Sequence, residues 1–351
     1  MAKDLLTKQT IIEDRFTIAT FNLFNYIAPP DAFYDFENIY SLQEWQKKQA
    51  WIKRYLSAVQ PDIIGFQEVF SASSLEELVH TEGYEYFAVV DEPSLVDDYI
   101  YQDPIVAIAS RFPIVDVQAI KPSTTHLIAA GISTDFIFSR QPLRATITIP
   151  HIGNCDCYVV HFKSKRATEV NFTSEPPLQV DVVAHHNALF GEWRSSMQRS
   201  SEALLLKAAI TERRAQTDHP VVVMGDFNDD LYSPLLNNLL LTIPTENKTN
   251  DVSCPSLRDS YFQLTDSYHL YTATDNAPAD TSRAATHYYF NKGSVLDYIL
   301  LSDEFDAQCL TSLYEVANYH TEDRHLINPI FDKDSHSTDH AVVSIELKLR
   351  N

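Results

Sequence analysis

Val221-Val222-Val223-Met224-Gly225-Asp226-Phe227-Asn228 is the stretch on which the reading of this chain turns. Apolar residues in an unbroken run, then glycine and Asp-x-Asn, describe a buried strand that delivers polar side chains as it leaves the core. Outward from it the same arrangement recurs. Ile18-Ala19-Thr20-Phe21 ends in Asn22, Asp62-Ile63-Ile64-Gly65-Phe66 ends in Gln67-Glu68, and Tyr158-Val159-Val160 ends in His161. A single Asp or Asn after a strand is ordinarily a turn former. Strand ends that together carry Asn, Glu, His and Asp-x-Asn exceed that explanation, and rigid strand ends suit a site that needs close placement. Such an oxygen-rich set fits magnesium, manganese or calcium better than zinc.

The bulk of the chain narrows the classes. Its 351 residues are 44% hydrophobic and 11% aromatic, which supports a large folded core. With only 7 glycines, glycine-loop nucleotide-binding designs are disfavoured. No apolar run reaches bilayer-spanning length, and Met1-Ala2-Lys3-Asp4 does not open an apolar signal core. The expectation is a soluble protein, cytoplasmic or exported with its signal absent from this chain, with no obligate protein partner. A formal net charge of −21 repels polyanions at long range. That disfavours a nucleic-acid binder relying on its overall field, but not an enzyme that holds a phosphate locally through a metal ion. Cys155, Cys157, Cys254 and Cys309 follow no zinc spacing and are expected as reduced thiols, the first two on one face of a strand.

Leu42, Trp45, Gln49, Ile52, Leu56 and Val59 are spaced as an amphipathic helix that Pro61 stops. A second helix is expected over Ser195 to Arg214, with Ala203, Leu206 and Ile210 inward. Strand-like runs fall at Phe16–Phe21, Asp62–Phe66, Ile105–Ala109, Ala145–Ile149, Tyr158–Val160, Val221–Met224, Val295–Leu301 and Ala341–Leu347. Ala167 to Arg194 and Ile243 to Phe290 read as long excursions that select substrate. Many strands with few helices point to packed sheets flanked by helices in a single domain over 1–351, its core about 15–348.

Asp297 lies within the apolar run Val295–Leu301, where a carboxylate must be paired or hydrogen-bonded. Thr338-Asp339-His340 directly precedes the last strand. A buried Asp with a strand-entry His is the arrangement that fixes an imidazole tautomer and stabilises its protonated form.

Together these residues resemble the endonuclease/exonuclease/phosphatase superfamily. The resemblance runs in order through Ala19-Thr20-Phe21-Asn22, Gly65-Phe66-Gln67-Glu68-Val69, Ser139-Arg140-Gln141-Pro142, Val160-His161-Phe162-Lys163-Ser164, Gly225-Asp226-Phe227-Asn228, Leu296-Asp297-Tyr298-Ile299 and Thr338-Asp339-His340. It implies a four-layer αββα sandwich, two mostly antiparallel sheets packed face to face with outer helices, and a metal (Mg2+, or Mn2+ or Ca2+) at one rim. By the same resemblance, Glu68 is the principal metal ligand with Asn22 beside it, and Asp339 is a further ligand, direct or through water. The resemblance further implies that Asp226 activates or aligns the attacking water, that Asn228 donates to phosphoryl oxygens, and that His340, oriented by Asp297, is a charged donor to the phosphate. His161 contacts the scissile phosphate or leaving oxygen. Arg140, Lys163, Lys165 and Arg166 are expected to guide flanking phosphates, Lys163 and Lys165 sharing a face with His161 if that strand continues. The activity expected is a metal-dependent phosphodiesterase of the DNase type acting on nucleic acid. A sphingomyelinase-type enzyme is the alternative, and it calls for an exposed aromatic hairpin that Ile243–Phe290 does not obviously supply. A small-molecule phosphomonoesterase and a non-catalytic scaffold stand behind it.

Overall fold

The computed structural model describes residues 14–176, 178–240, 263–274, 282–309 and 312–350. Two six-stranded sheets dominate it. Their strands in chain order are β1 (Arg15–Tyr26), β2 (Ile63–Val69), β3 (Tyr86–Ala88), β4 (Ile105–Ser110), β5 (Ile114–Ala119) and β6 (Leu143–Ile149), followed by β7 (Gly153–His161), β8 (Val221–Asp226), β9 (Thr265–Asp266), β10 (Asp297–Leu301), β11 (Tyr314–Glu322) and β12 (Val342–Leu349). One sheet runs β11-β12-β1-β2-β4-β3 and the other β9-β10-β8-β7-β6-β5. Each is antiparallel except for one central pair, β1 with β2 and β7 with β8. Parallel neighbours need a crossover, which in both sheets is a helix: α1 (Leu42–Val59) in the first, α4 (Val180–Thr217) in the second. The shorter α2 (Ala72–Thr81) follows β2, and α3 (Thr124–Ala130) follows β5.

The layers follow from where the apolar side chains go. Ile18, Ile63 and Ile108 of one sheet pack against Val159, Val222 and Ile299 of the other. On the outer face of the first sheet, Trp45, Ile52 and Leu56 of α1 cover Phe21, Ile64 and Phe66. On the second, Ala203, Leu206 and Ile210 of α4 cover Tyr158, Val160 and Val223. The order is therefore helix, sheet, sheet, helix, as the resemblance implies. The two sheets meet tightly at Gly65, where a Cβ would lie 2.9 Å from the Met224 Cγ and 3.0 Å from the Val159 Cγ2.

Helix α1 begins at a capping box in which Ser41 and Glu44 satisfy each other's backbone N–H groups, and it ends at Gln60 in left-handed conformation, one residue before Pro61. Leu42, at the first helical position, is exposed rather than inward. Three expectations need correction. Helix α4 starts at Val180, so much of the expected 167–194 excursion is helical. Its first half carries Val180, Leu189 and Trp193 in the open, and so lacks the inward apolar stripe by which a helix is recognised. Strand β7 stops at His161, so Lys163 and Lys165 do not continue it. Cys155 and Cys157 are free and buried, whereas Cys309 is disulfide-bonded, against the expectation of reduced thiols throughout. Of the 243–290 excursion, residues 243–262 and 275–281 lie outside the described residues.

Candidate active site

Strand register brings the polar residues together before any side chain is considered. His161 pairs with Asp226 across β7 and β8, and Asp226 pairs with Asp297 across β8 and β10. In the facing sheet Asn22 and Gln67 are partners across β1 and β2, so Asn22 and Glu68 emerge side by side. Parallel pairing brings the polar ends of both strands of each pair together, and the contact of Asn22 with Asp226 joins the two sheets' polar ends at one rim. Glu68 and Asn228 turn out of their strands in left-handed conformation, φ 60° and 54°. Gly225, with φ 151°, has no room for a Cβ, which would sit 1.9 Å from the Val160 carbonyl oxygen. That contact seats Asp226 directly beside β7.

At the centre, Asp226 Oδ2 accepts from Asn22 Nδ2 at 3.1 Å and from Asn228 Nδ2 at 3.2 Å. It lies 3.6 Å from His161 Nε2 and 3.8 Å from His340 Nε2. Its other oxygen accepts the Asn228 N–H at 2.8 Å. The far nitrogen of His340, Nδ1, is 2.8 Å from Asp297 Oδ2. Asp297, fully buried, is seated by Thr286, whose hydroxyl oxygen accepts the N–H groups of Leu296 and Asp297 at 2.8 and 3.1 Å. Thr338 locks the last motif to the first, its hydroxyl donating to the Asn22 carbonyl at 2.7 Å and accepting the His340 N–H at 3.1 Å.

The two histidines differ in charge for physical reasons. Burial pushes His161 well below its ordinary value, and Arg140 and His340 push it further, so it is neutral. Burial works the same way on His340, but Asp297 and Asp226 outweigh it and hold its pKa well above the ordinary value. Burial pushes Asp226 up to about 7; His340 opposes this and Asp297 adds to it. Glu68 is also raised, by burial and then by Asp339.

These crowded carboxylates fit a hard cation. Glu68 Oε1 is 3.4 Å from Asn22 Nδ2, Oε2 accepts the Asn25 N–H at 2.9 Å, and Asp339 Oδ1 is buried without a hydrogen-bond partner. Asn22, Glu68 and Asp339 would hold the ion, an oxygen-donor set of the kind magnesium, manganese and calcium take. Ligand atoms of Asp226, Asp297 and His340, and those of His287, Asp339 and His340, also lie within 4.8 Å of one another. Behind this rim Lys48 is buried on α1, donating to the Ser337 carbonyl at 3.1 Å; burial lowers its pKa to about 7.

The rim opens into a cleft of about 1540 Å³ lined by Glu68, His161, Asp226 and His340, by the cations Arg140, Lys163, Arg166 and Arg194, and by the carboxylates Asp91, Glu92, Asp103 and Asp135. Lys165 does not line it; its ammonium pairs with Asp229 at 2.8 Å. Several contributors escaped sequence reasoning. His287 bridges to His340, their rings 5.0 Å apart, from a short hairpin of His287–Tyr289 with Lys292–Ser294. The tip of that hairpin exposes Tyr289 and Phe290, 72% and 87% accessible, so the expected lack of an aromatic hairpin in Ile243–Phe290 is corrected. Glu202 accepts the N–H groups of Ser139 and Lys163 at 2.7 and 2.6 Å, tying both basic loops to α4. Ser195, Arg199, Glu202 and Leu206 continue the 3.6-residue spacing of the inward face, a polar extension of the stripe that periodicity in apolar residues alone passes over.

The profile of the Endonuclease/Exonuclease/phosphatase family matches residues 19–340. Among solved structures, the human Nocturnin catalytic domain with bound sulfate is similar over 96% of this chain and 95% of its own, at 14% identity and TM-score 0.57. ANGEL2, described as a 2',3'-cyclic phosphatase, is similar over 95% of each chain at 13% identity and TM-score 0.55. Truncated Caenorhabditis elegans TDP2 is similar over 95% of this chain and 98% of its own at 12% identity, with TM-score 0.54. At such identities the likeness is one of fold. No curated protein sequence matches this chain.

Proposed function

Because the chain belongs to the endonuclease/exonuclease/phosphatase family, whose profile spans residues 19–340, we propose that it is a divalent-metal-dependent phosphodiesterase acting on nucleic acid. The observation that carries this reading is the register-fixed set His161, Asp226 and Asp297, with His340 bonded to Asp297 and Asn22 to Asp226, at a cleft that Arg140, Lys163 and Arg166 help to line. Phosphodiester hydrolysis builds negative charge on the non-bridging and leaving oxygens, and preorganised charge is what lowers that barrier. Asp226 is placed to take the proton of the attacking water. His340, kept protonated by Asp297, donates to a phosphoryl oxygen, and neutral His161 lies on the other side of Asp226 as a partner for the leaving oxygen. Asn228 holds Asp226 in place through its backbone and side-chain amides. A bound divalent cation supplies Lewis acidity and charge neutralisation; Asn22, Glu68 and Asp339 would hold it. Arg140, Lys163 and Arg166 take flanking phosphates, a local positive edge within a chain of net charge −21.

One observation favours a second reading, a phospholipid phosphodiesterase. The hairpin beside His340 presents Tyr289 and Phe290 to solvent, the kind of aromatic tip that seats at a membrane interface. A substrate panel separates the two: plasmid DNA, RNA, sphingomyelin and phosphorylated inositols, with magnesium, manganese or calcium supplied in turn. Metal-dependent cleavage of DNA or RNA is the expected result. Turnover confined to sphingomyelin, or undiminished after exhaustive chelation, overturns the leading reading.

A further inference from the structure

The wall of the cleft contributed by α4 is not used by the hydrolytic chemistry. Trp193 and Met197 line it, with Arg194 beside them, and Trp193 is 64% accessible. A large aromatic left that open on a helix whose inner face is well packed calls for an occupant. Its neighbours indicate which one: Arg166 and Arg194 line the same wall, cations in a strongly acidic chain.

The wall is also rigidly referenced to the scissile site. Ser195, two residues from Trp193, donates to the Arg166 carbonyl at 2.7 Å, and Arg199 donates to the Lys163 carbonyl at 2.9 Å. The chain at Thr168 packs directly on the helix backbone, since a Cβ at Gly191 would come within 2.5 Å of the Thr168 carbonyl oxygen. Glu202 ties in the Arg140 loop through Ser139. The indole and the basic loops thus keep a fixed spacing from the strand-end acids, and little ordering entropy is lost when a ligand spans them.

We infer that Trp193 is a stacking platform for an unpaired nucleobase next to the scissile phosphate, with Arg194 and Arg166 holding the adjoining phosphate, which makes single-stranded nucleic acid the substrate class. This deepens the nucleic-acid reading and rests on it. An indole face can take only a base whose own face is free; in a duplex both faces are covered by neighbouring pairs. Cation alternating with aromatic along a groove is the pattern by which single strands are held without base-specific hydrogen bonds. Tyr289 and Phe290, the aromatic pair suited to a bilayer, do not line this cleft.

The test is binding by fluorescence anisotropy in the Asp226→Ala background, with magnesium present. The probes are a labelled oligothymidylate, a base-free sugar-phosphate strand of equal length, the corresponding duplex, and vesicles of phosphatidylcholine with sphingomyelin. The parent should bind oligothymidylate more tightly than either the base-free strand or the duplex. Trp193→Ala should weaken oligothymidylate by about 5- to 100-fold, to the level of the base-free strand. Trp193→Phe should recover most of the loss, and Arg194→Ala should weaken both single strands alike. If Trp193→Ala leaves the preference for bases intact, or the parent has no such preference, the stacking subsite is overturned while the nucleic-acid reading stands. If no nucleic acid binds and the vesicles do, that reading falls and the subsite with it.

Discussion

His340 and Asp297 are 43 residues apart in sequence and joined by a 2.8 Å hydrogen bond between Nδ1 and Oδ2. The bond leaves Nε2 as the only free edge of the ring and turns it toward Asp226, 3.8 Å away. It therefore fixes which nitrogen is available and keeps the ring charged.

Asp297→Asn tests this. The amide keeps the shape but removes the first of the two charges, Asp297 and Asp226, that hold His340 protonated. We expect kcat to fall by about 10²-fold or more, in the range of a lost general acid or charged donor, with an unchanged far-ultraviolet circular dichroism spectrum. Near wild-type kcat for this variant and for His340→Ala would remove both residues from the chemistry.

The cation site makes a prediction of opposite sign for stability. In the absence of metal, burial and the neighbouring Asp339 carboxylate make the charge on Glu68 costly. Glu68→Gln should melt no lower than wild type in chelator. Adding magnesium should raise the wild-type melting temperature, by about 2.7 kcal/mol of stabilisation at a hundredfold excess over Kd, and should leave Glu68→Gln unmoved. An equal rise in both proteins would place the ion elsewhere.

Much of this was legible because a buried strand of a sandwich reads as an apolar run, and the residue after the run must be polar for a reason. Asn22, His161 and Asp226 are all found that way, and Asp297 by being a carboxylate in an apolar run. What escaped was of another kind. β3 and β5 are only partly buried, so no apolar run marks them. Glu202 and Arg199 sit on a helix face that is buried but polar, and the role of Glu202 depends on loops about 40 and 60 residues away in sequence. Lys165 shows the reverse case: its type suited phosphate, but whether it faces the cleft or Asp229 depends on the path of the chain after β7.

Asp334 anchors the segment that precedes Thr338. It accepts from Trp51 Nε1 at 3.0 Å, from Arg324 at 2.9 and 3.1 Å, and from the Ile330 N–H at 2.7 Å. Burial would raise its pKa, but the donors from Arg324, Ile330 and Trp51 outweigh it and hold the carboxyl below the ordinary 3.8. A depressed folded pKa means the contribution is complete above the unfolded value and is lost as pH falls through the folded one. Wild type should therefore lose stability steeply below about pH 4. Asp334→Asn should start about 1–2 kcal/mol lower at neutral pH, Arg324 being partly exposed, and lose less on acidification. Parallel melting curves across that range for both proteins would refute it.

Gly225→Ala should be among the most damaging single-methyl additions in the chain. The new Cβ would fall 1.9 Å from the Val160 carbonyl oxygen, so β7 and β8 must part where His161 and Asp226 are paired. A loss of about 2–4 kcal/mol in urea unfolding is expected, with activity lost even where the fold persists. A variant that keeps both stability and turnover would show that the contact relaxes freely.

The pairing of β1 with β12 has a consequence for how the protein can fail. Asn22 lies in β1, and Asp339 and His340 stand at the entry to β12, so residues from opposite ends of the described chain meet in one rim. A nascent or prematurely terminated polypeptide that stops before residue 340 lacks both His340 and β12, and it leaves one side of β1 as an unpaired edge open to other chains. Hydrolytic competence then arrives only when the longest-range strand pairing closes, a late event in folding of this topology. The hazard of unfinished copies is then aggregation through that open edge.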